Sequence, residues 1–386
     1  MVSPRVEAAT HEDRTLTLDL LISGTGALSS EPVWAPPEGQ NVFYPGDVLF
    51  GKLRPYLAKS LLVRERINGT GELLCMTPGP SIDNRYLLYT TLSRPWLEYA
   101  DLTSYGSKMP RTSWETMSRF ALPDIDLLEQ RRIADFLQAR IADIDAAMSS
   151  RRHQRELLAR AYESFVGQAV DITGREGTVS LRRLSAGVEQ GWSPVAESEP
   201  ASASEPGVLK LGSVRGGHFR PAENKALSDG TDPDERYLVR TGDLLVTRAN
   251  TVALVGDAAV AEVDEGARLY LSDLIYRVVL VDVDPHFVSF ALRAPNVRQL
   301  LATLARGTSR SMAKLRGGDL LTLPLPDVSR ARQRELGAQD RAERESTRVR
   351  QADLDRSIAL LTEYKQALIT AAVSGEIDVT TAGGLP

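Results

Sequence analysis

The segment LLEQRRIADFLQARIADIDAAM, from Leu127 to Met148, is typical of a long charged helix, and a related segment follows at an offset of 203 residues. The second segment begins with ARQRELGAQDRA at Ala331 and ends with LLTEYKQALITAAVSG at Gly375. The pairs that keep this offset are Gln130 and Gln333, Leu157 and Leu360, Leu158 and Leu361, and Val170 and Val373. A constant offset over about 40 residues indicates a duplicated unit, which predicts pseudo-twofold symmetry and two copies of one recognition task.

The segments that precede the two helices also match each other. YPGDVLFGKLRPYL aligns with RTGDLLVTRANTVAL, so that Gly46-Asp47 corresponds to Gly242-Asp243. IDNRYLLYTTL aligns with VDPHFVSFALR, and YGSKMPRTSW with RGTSRSMAKL. Each copy ends on a Leu-Pro pair just before its helix, where proline stops the preceding strand. The sequence therefore predicts a strand-rich domain followed by a long helix, twice.

The predicted organisation has five parts. A domain of short strands and turns covers 1–126, and a helix covers 127–170; a second domain covers 171–329, a second helix 330–375, and a tail 376–386. We predict an α+β fold in which two α/β domains are separated by two long antiparallel, coiled-coil-like helices. The first domain has about 18 fewer residues before its Gly-Asp turn than the second. We therefore expect that this domain either dispenses with that piece or has its true start upstream.

The apolar positions of the two helices predict how they pack. Steps of three and four residues along one face are typical of a helix that buries a stripe against a partner helix. The residues assigned to this inter-helix or partner surface are Ile133, Leu137, Ile141, Ile144, Met148, Leu354, Ile358 and Leu361. Arg151 and Arg155 interrupt the stripe, and we expect them to pair with acidic residues of the second helix such as Asp353 or Asp355. A partner interface is the alternative.

The composition bounds the class of protein. The 386 residues are 42% hydrophobic and 25% charged, with a formal net charge of −5. The single cysteine, Cys75, excludes an intrachain disulfide, and the four histidines have no metal-ligand spacing. The sequence shows neither a signal peptide nor an 18-residue apolar run, so we expect a cytoplasmic chain that does not bind a membrane. The acidic total argues mildly against nucleic-acid binding, although local basic loops matter more than the sum.

Three stretches resemble one known family. They are LPDIDLLEQRRIADFLQARIADID (122–145), EYKQALITAAVSGEID (363–378) and GVEQGWSP (187–194). They resemble the specificity subunit (HsdS) of type I restriction–modification systems, over nearly the whole chain. The resemblance implies two target-recognition domains, each reading one half of a split site in double-stranded DNA. It also implies two DNA-methyltransferase subunits as partners, with motor-nuclease subunits joining for cleavage. The second helix departs from the family pattern, because it has Arg-Gln-Arg-Glu-Leu at 332–336.

No catalytic apparatus is recognisable. The chain lacks a glycine-rich cofactor loop, an Asn/Asp-Pro-Pro-aromatic motif and a phosphate-binding loop. Glu223-Asn224-Lys225 matches the Glu-x-Lys of some nucleases, but no suitably placed Pro-Asp precedes it. We therefore predict a non-catalytic subunit that holds neither a cofactor nor a metal.

Four loops supply the residue types that DNA reading requires. Cations bind phosphates, and Arg, Lys, Asn and Gln reach base edges. The candidate DNA-binding residues are Lys52, Arg54, Lys108, Arg111, Arg248, Asn250, Arg306, Thr308, Ser309, Arg310 and Lys314. For any one of them, a solvated loop charge is the simpler interpretation. Tyr105 and Trp192 are candidates for packing on nucleotides, and core packing is the interpretation that we favour for both.

Three functions stay open at this point. The first is a DNA-sequence-reading scaffold without activity of its own, and it is the one that the residues favour. The second is a nuclease with unrecognised catalysis. The third is a structural coiled-coil adaptor with degenerate recognition domains. Adding a methyltransferase and a methyl donor distinguishes them by site-specific adenine methylation, by cleavage without partners, or by assembly without DNA selectivity.

Overall fold

The computed structural model describes residues 2–170, 172, 177–202, 205–228, 230–306 and 312–379. The chain divides into two compact units, Met1–His153 with Leu354–Pro386, and Gln154–Asp353. Each unit contains one strand-rich domain together with a stretch of both long helices. Within the described residues, no helix combines the length and the apolar character needed to cross a membrane.

The first unit is built on two four-stranded sheets. Its strands are β1 (Val2–Pro4), β2 (Asp13–Leu16), β3 (Val33–Ala35), β4 (Gln40–Phe43), β5 (Val48–Gly51), β6 (Ser60–Leu62), β7 (Ile67–Thr70) and β8 (Leu73–Pro78). They form sheets in the orders β1-β8-β5-β6 and β3-β2-β7-β4. Among the strands described in this unit, β2 and β7 are the pair that runs in parallel. Both sheets bury apolar side chains such as Leu49, Phe50 and Phe43, so the core lies on their faces.

Helices follow the strands of the first unit. They are α1 (Asn84–Leu92), α2 (Arg94–Leu102), α3 (Trp114–Met117) and the long α4 (Leu127–Ala169). The α/β character predicted for this domain is confirmed, although the sequence pattern over 1–126 did not itself locate α1, α2 and α3. Asp83 accepts hydrogen bonds from the backbone N–H groups of Arg85 and Tyr86, which starts α1, and Pro95 lies in the first turn of α2.

The second unit repeats this plan. Its elements are β9 (Thr178–Ser180), β10 (Ser185–Gln190), β11 (Gly207–Leu209), β12 (Val214–Arg215), β13 (His218–Phe219), β14 (Asn224–Ala226), β15 (Leu244–Thr247), β16 (Ala249–Asn250), β17 (Ala258–Val260), β18 (Leu269–Tyr270), β19 (Ile275–Leu280), α5 (Pro285–Leu292), α6 (Pro295–Leu304), β20 (Ala313–Lys314), α7 (Gly317–Leu320), β21 (Pro324–Pro326) and α8 (Arg330–Val373). The sheet β10-β19-β15-β17 repeats β1-β8-β5-β6. The parallel pair β11–β18 repeats β2–β7. The duplication inferred from the sequence is therefore present in the topology.

A buried glutamine joins each long helix to its domain. Gln130 accepts a hydrogen bond from the backbone N–H of Asp83 at 2.9 Å, and its amide N–H groups donate to the carbonyls of Ser81 and Ile125. Gln333 accepts from the N–H of Asp284 at 3.1 Å and donates to the carbonyl of Val328. The glutamine pair that marks the duplication in the sequence thus fixes the start of each long helix to the N-terminus of α1 or α5.

Apolar contacts hold the two long helices together in the first unit. Ile133, Leu137 and Ile141 of α4 share one buried cluster with Ile369 and Val373 of α8. Beside them, Lys365 donates to both carboxylate oxygens of Asp145 at 2.8 and 2.9 Å. Residues later in α4 thus meet residues earlier in α8, so the pairing is antiparallel in this unit.

The remaining predicted stripe residues differ in burial. Ile144 and Met148 are buried, whereas Leu354, Ile358 and Leu361 are half-buried. Their assignment to an inter-helix or partner surface stays a prediction, as does the pairing of Arg151 and Arg155 with acidic residues.

A buried charged cluster occupies the corresponding place in the second unit. Arg293, after α5, donates to Asp340 of α8 at 2.6 Å and also contacts the hydroxyl of Tyr162 of α4. Tyr162 donates to the same carboxylate at 2.7 Å, and Arg344 lies 3.6 Å from it. The side chains of Arg293 and Asp340 are only 8% and 1% exposed. The very polar first half of α8 therefore buries Asp340 and most of Arg344 on the domain that it contacts, whereas most of its other charges are exposed.

Candidate nucleic-acid interface

A Gly-Asp turn positions the candidate loops in each unit. Gly46 and Gly242 both have φ of +96°, a left-handed conformation that glycine adopts without strain. Asp47 accepts a hydrogen bond from the N–H of Tyr44, and Asp243 accepts from that of Arg240, each at 2.9 Å. The turn leads into β5 or β15, and the first candidate cation stands directly after the strand.

Three backbone segments meet around the candidate residues of the first unit. Lys52 donates its N–H to the carbonyl of Glu72 at 2.8 Å, and its own carbonyl accepts from Thr112 at 3.0 Å. Arg54 donates its N–H to the carbonyl of Pro110 at 2.7 Å. Tyr105 and Arg111 exchange two backbone hydrogen bonds of 2.9 Å, which close a short loop. We call residues 52–54 and 105–112 the first reading loops.

The second unit repeats the three-segment arrangement. Arg248 donates its N–H to the carbonyl of Leu274 and accepts from Leu315, both at 2.8 Å. Asn250 of β16 is the register partner of Ala313 of β20. Arg306 and Lys314 exchange backbone hydrogen bonds of 2.9 and 2.8 Å, as Tyr105 and Arg111 do. We call residues 248–250 together with 306 and 312–315 the second reading loops.

The side chain of the first cation in each set binds a carbonyl of a neighbouring segment. The ammonium of Lys52 donates to the carbonyl of Gly71 at 2.6 Å, and the guanidinium of Arg248 donates to that of Asp273 at 3.2 Å. Both side chains are half-buried. Lys52 and Arg248 therefore hold the neighbouring loop in place at equivalent positions.

The other cations are more accessible. Arg54, Lys108, Arg306 and Lys314 are exposed. Arg111 forms an ion pair with Glu72; the hydrogen bond and charge of this carboxylate raise the pKa of the guanidinium above its ordinary value. Each unit thus presents cations around one closed loop, which suits an anionic partner.

Asn250 is held locally. Its side-chain oxygen accepts from the N–H of Thr251 at 2.9 Å, so the amide group is turned by its own backbone. Three further candidates, Thr308, Ser309 and Arg310, lie outside the described residues. The two aromatic candidates differ. Trp192 stacks on Tyr237 with ring centroids 5.1 Å apart, in agreement with core packing. Tyr105 is 63% exposed, so core packing is the wrong interpretation for it.

Sequence reasoning missed the charged residues that fix the second domain to the helices. Burial alone would disfavour the charge of Arg293, but Asp340 and then Tyr162 outweigh it, and the pKa of Arg293 lies above its ordinary value. Burial raises the pKa of Tyr162 as well. The signal available in the sequence was the spacing of Gln333, Leu336 and Asp340, which places a glutamine and an aspartate on one face with an apolar residue.

Comparisons with known proteins agree with this architecture. No family model matches the chain. The specificity subunit of the type I restriction enzyme EcoEI from Escherichia coli is 31% identical over 148 residues, which are 38% of this chain and 25% of that protein. The EcoKI specificity subunit from Escherichia coli strain K12 is 21% identical over 245 residues, or 61% and 53% of the two chains. The matches thus span between a quarter and about half of these relatives.

Solved structures match over nearly the full chain. A structure concerning complex assembly and conformational transition of the type I R-M system contains a chain that is 16% identical, with a TM-score of 0.74 over 95% of this chain and 93% of that one. The HsdS subunit from Thermoanaerobacter tengcongensis is 17% identical, with a TM-score of 0.53 over 98% and 94%. At this identity, the likenesses establish the fold.

The fold and the matched loops define a class of two-repeat proteins, in which a strand-rich domain and a long helix each occur twice. Within this class, the chain is similar in sequence to the EcoEI and EcoKI specificity subunits over part of their length, and it shares its fold with the HsdS subunit from Thermoanaerobacter tengcongensis.

Proposed function

We propose that this chain reads a bipartite sequence in double-stranded DNA and acts as the scaffold on which two methyltransferase subunits assemble, joined by motor-nuclease subunits for cleavage. The observation that carries the proposal is the same three-segment loop arrangement in both units, with cations around it. In this proposal, each unit reads one DNA half-site.

The geometry suits recognition without catalysis. Strands β5 and β15 are buried on their sheets, so the reading loops start from rigid elements. Exposed cations such as Arg54 and Lys314 are placed to bind phosphates and to set the register of the domain on the duplex. Each loop is closed by paired backbone hydrogen bonds, which limits the conformational entropy that binding must remove.

The deciding experiment assembles the chain with its cognate methyltransferase subunits and a methyl donor. We expect adenine methylation at one bipartite motif, mapped by long-read modification detection. DNA cleavage by the chain without partners would support the nuclease function instead. Stable assembly without any sequence selectivity would support the adaptor function.

A second expectation concerns the chain without partners. Its formal net charge of −5 gives little counterion-release drive, so we expect weak DNA binding that strengthens when methyltransferase subunits are added. Titration of a labelled duplex with and without those subunits measures the difference. Equally tight and selective binding by the chain alone would contradict a role that depends on assembly.

A further inference from the structure

Each set of reading loops exposes a methionine at a position that the backbone hydrogen bonds make equivalent, although the ungapped sequence match sets Met109 against Arg310. Met109 is 57% exposed and Met312 is 44% exposed. Met109 stands two residues before Arg111, and Met312 stands two residues before Lys314, which are the cations that close the two loops. Single exposed apolar residues are common on protein surfaces. Recurrence at one position of two copies, beside cations in both, is a more specific observation.

A second exposed apolar residue accompanies each methionine. The backbone pairing of Arg54 with Pro110 in the first unit corresponds to that of Asn250 with Ala313 in the second. The methionine directly precedes one partner of this pairing. Tyr56 stands two residues after Arg54 in the first unit, and Val252 stands two residues after Asn250 in the second. The side chains of Tyr56 and Val252 are 50% and 43% exposed. Cations thus alternate with exposed apolar side chains on the same short segments of both units.

From this arrangement we infer that Met109 and Met312 each contact a thymine methyl group in the major groove of one half-site. The inference rests on the proposed DNA-reading function. The major groove presents the C5-methyl of thymine as its one apolar feature. An unbranched methionine adapts its shape to such a contact, and its thioether is polarisable. Cations such as Arg54, Lys108 and Lys314 would meanwhile bind the flanking phosphates, which fixes the loop against the bases.

Deoxyuridine substitution tests the contact, because deoxyuridine lacks only the C5-methyl of thymine. With the assembled complex and its mapped motif, each thymine of each half-site is replaced in turn and the Kd is measured. We expect one replacement in each half-site to weaken binding about fourfold, the effect of one buried methyl-sized group. In Met109→Ala the sensitivity should disappear for the half-site of the first unit alone. In Met312→Ala it should disappear for the other half-site alone.

Matched variants control for general effects. Val33 and Val281 are exposed apolar residues outside the reading loops, at 71% and 53% exposure. Val33→Ala and Val281→Ala should keep the full deoxyuridine sensitivity, and thermal melting should show all four variants folded. Unchanged sensitivity in both methionine variants, or a wild-type complex indifferent to every thymine methyl, overturns the inference. Failure of the proposed function is distinct, since the wild-type complex would then methylate no specific motif.

Discussion

Arg293 and Asp340 form the most deeply buried ion pair described in the second unit. Their counterparts in the first unit are Leu92 and Leu137, which lie in an apolar cluster. One copy of the duplicated unit thus uses charge where the other uses leucine. Because a buried charge requires a charged or polar partner, we expect this difference to disfavour pairing of a helix stretch with the wrong copy.

Arg293→Leu should strongly destabilise the second unit. The substitution leaves the carboxylate of Asp340 buried with only Tyr162 and the more distant Arg344, and breaking a buried pair costs about 3–5 kcal/mol. Urea denaturation, monitored by circular dichroism, measures the loss of unfolding free energy. The double variant Arg293→Leu with Asp340→Leu, which copies the first unit, should recover much of the stability. Arg348→Ala, at an exposed pair with Glu345, is the control and should leave the midpoint nearly unchanged. A single variant as stable as its double would disprove the role of the pair.

His218 should make the second unit less stable in acid. Burial, followed by the charges of Arg344 and Arg293, lowers its pKa to about 4, while Arg220 acts in the same direction and Glu345 opposes it. The unfolded chain, with an ordinary pKa near 6.5, binds the proton first. The stability from His218 is therefore present above about pH 6.5 and is lost as the pH falls towards 4. Comparing the urea midpoints of wild type and His218→Gln at several pH values isolates the contribution of His218 to the pH dependence of stability. If the urea midpoints of the two proteins changed with pH in the same way, the proposed contribution of His218 would be contradicted.

The stability of the two long helices should come from their first turns as well as from their apolar faces. Gln130 and Gln333 each satisfy a half-buried N–H at the start of a neighbouring helix, so Gln130→Ala should leave that N–H and two carbonyls without their partner. Such a loss costs about 1–3 kcal/mol. The same change at Gln333 removes two bonds to backbone groups and one from the guanidinium of Arg330, and it should cost somewhat less. Thermal or urea unfolding measures both effects, with exposed Gln168→Ala of α4 as the control. Equal stability of all three variants would show that the hydrogen bonds of Gln130 and Gln333 contribute nothing to the stability of the fold.

Much of the element plan was predictable, because it rests on local signals. The periodic stripe and the Leu-Pro pairs located α4 and α8, and the internal offset revealed the duplication before any contact was known. Helices α1 and α5 were missed although both begin after an aspartate cap, Asp83 or Asp284. The short, mixed pattern of these segments does not separate strand from helix, and the cap residue decides it.

The site was predictable only as a set of loops. The Gly-Asp turns and the cations beyond them follow from sequence matching between the two copies. The anchoring of Lys52 and Arg248 on neighbouring carbonyls did not, since Gly71 and Asp273 belong to segments that approach only after folding. For the same reason the polar face of α8 could not be assigned to Arg293, which lies 47 residues from Asp340.

For the molecule as a whole, duplication predicts independent recognition of two half-sites. Arg306→Ala or Arg248→Ala should change only the half of the methylated motif read by the second unit, or weaken binding there. If the replaced arginine hydrogen-bonds a base edge, its removal should cost about 1–3 kcal/mol of binding free energy and relax one position. The equivalent first-unit variant Arg54→Ala should affect only the other half. Methylation mapping of each variant is the measurement, and changes spread over both halves would contradict modular reading.

The two continuous helices, of 43 and 44 residues, should also set the gap between the half-sites. An α-helix rises about 1.5 Å per residue, so four residues inserted near Ser149-Ser150 and in the equivalent stretch of α8 add about 6 Å to each helix. Four residues nearly match the helical period, so the apolar stripes keep their faces. Since B-DNA advances about 3.4 Å per base pair, the preferred spacer should lengthen by about one or two base pairs.

The half-site sequences should stay the same in that variant, because the reading loops are untouched. Methylation of a library of spacer lengths by the paired insertion measures the shift, and insertion into one helix alone is the control. The single insertion puts the two helices out of register, so it should reduce methylation at every spacer length. A folded, active paired variant that keeps the original spacer would show that the distance is set elsewhere, by the methyltransferase subunits or by the DNA itself.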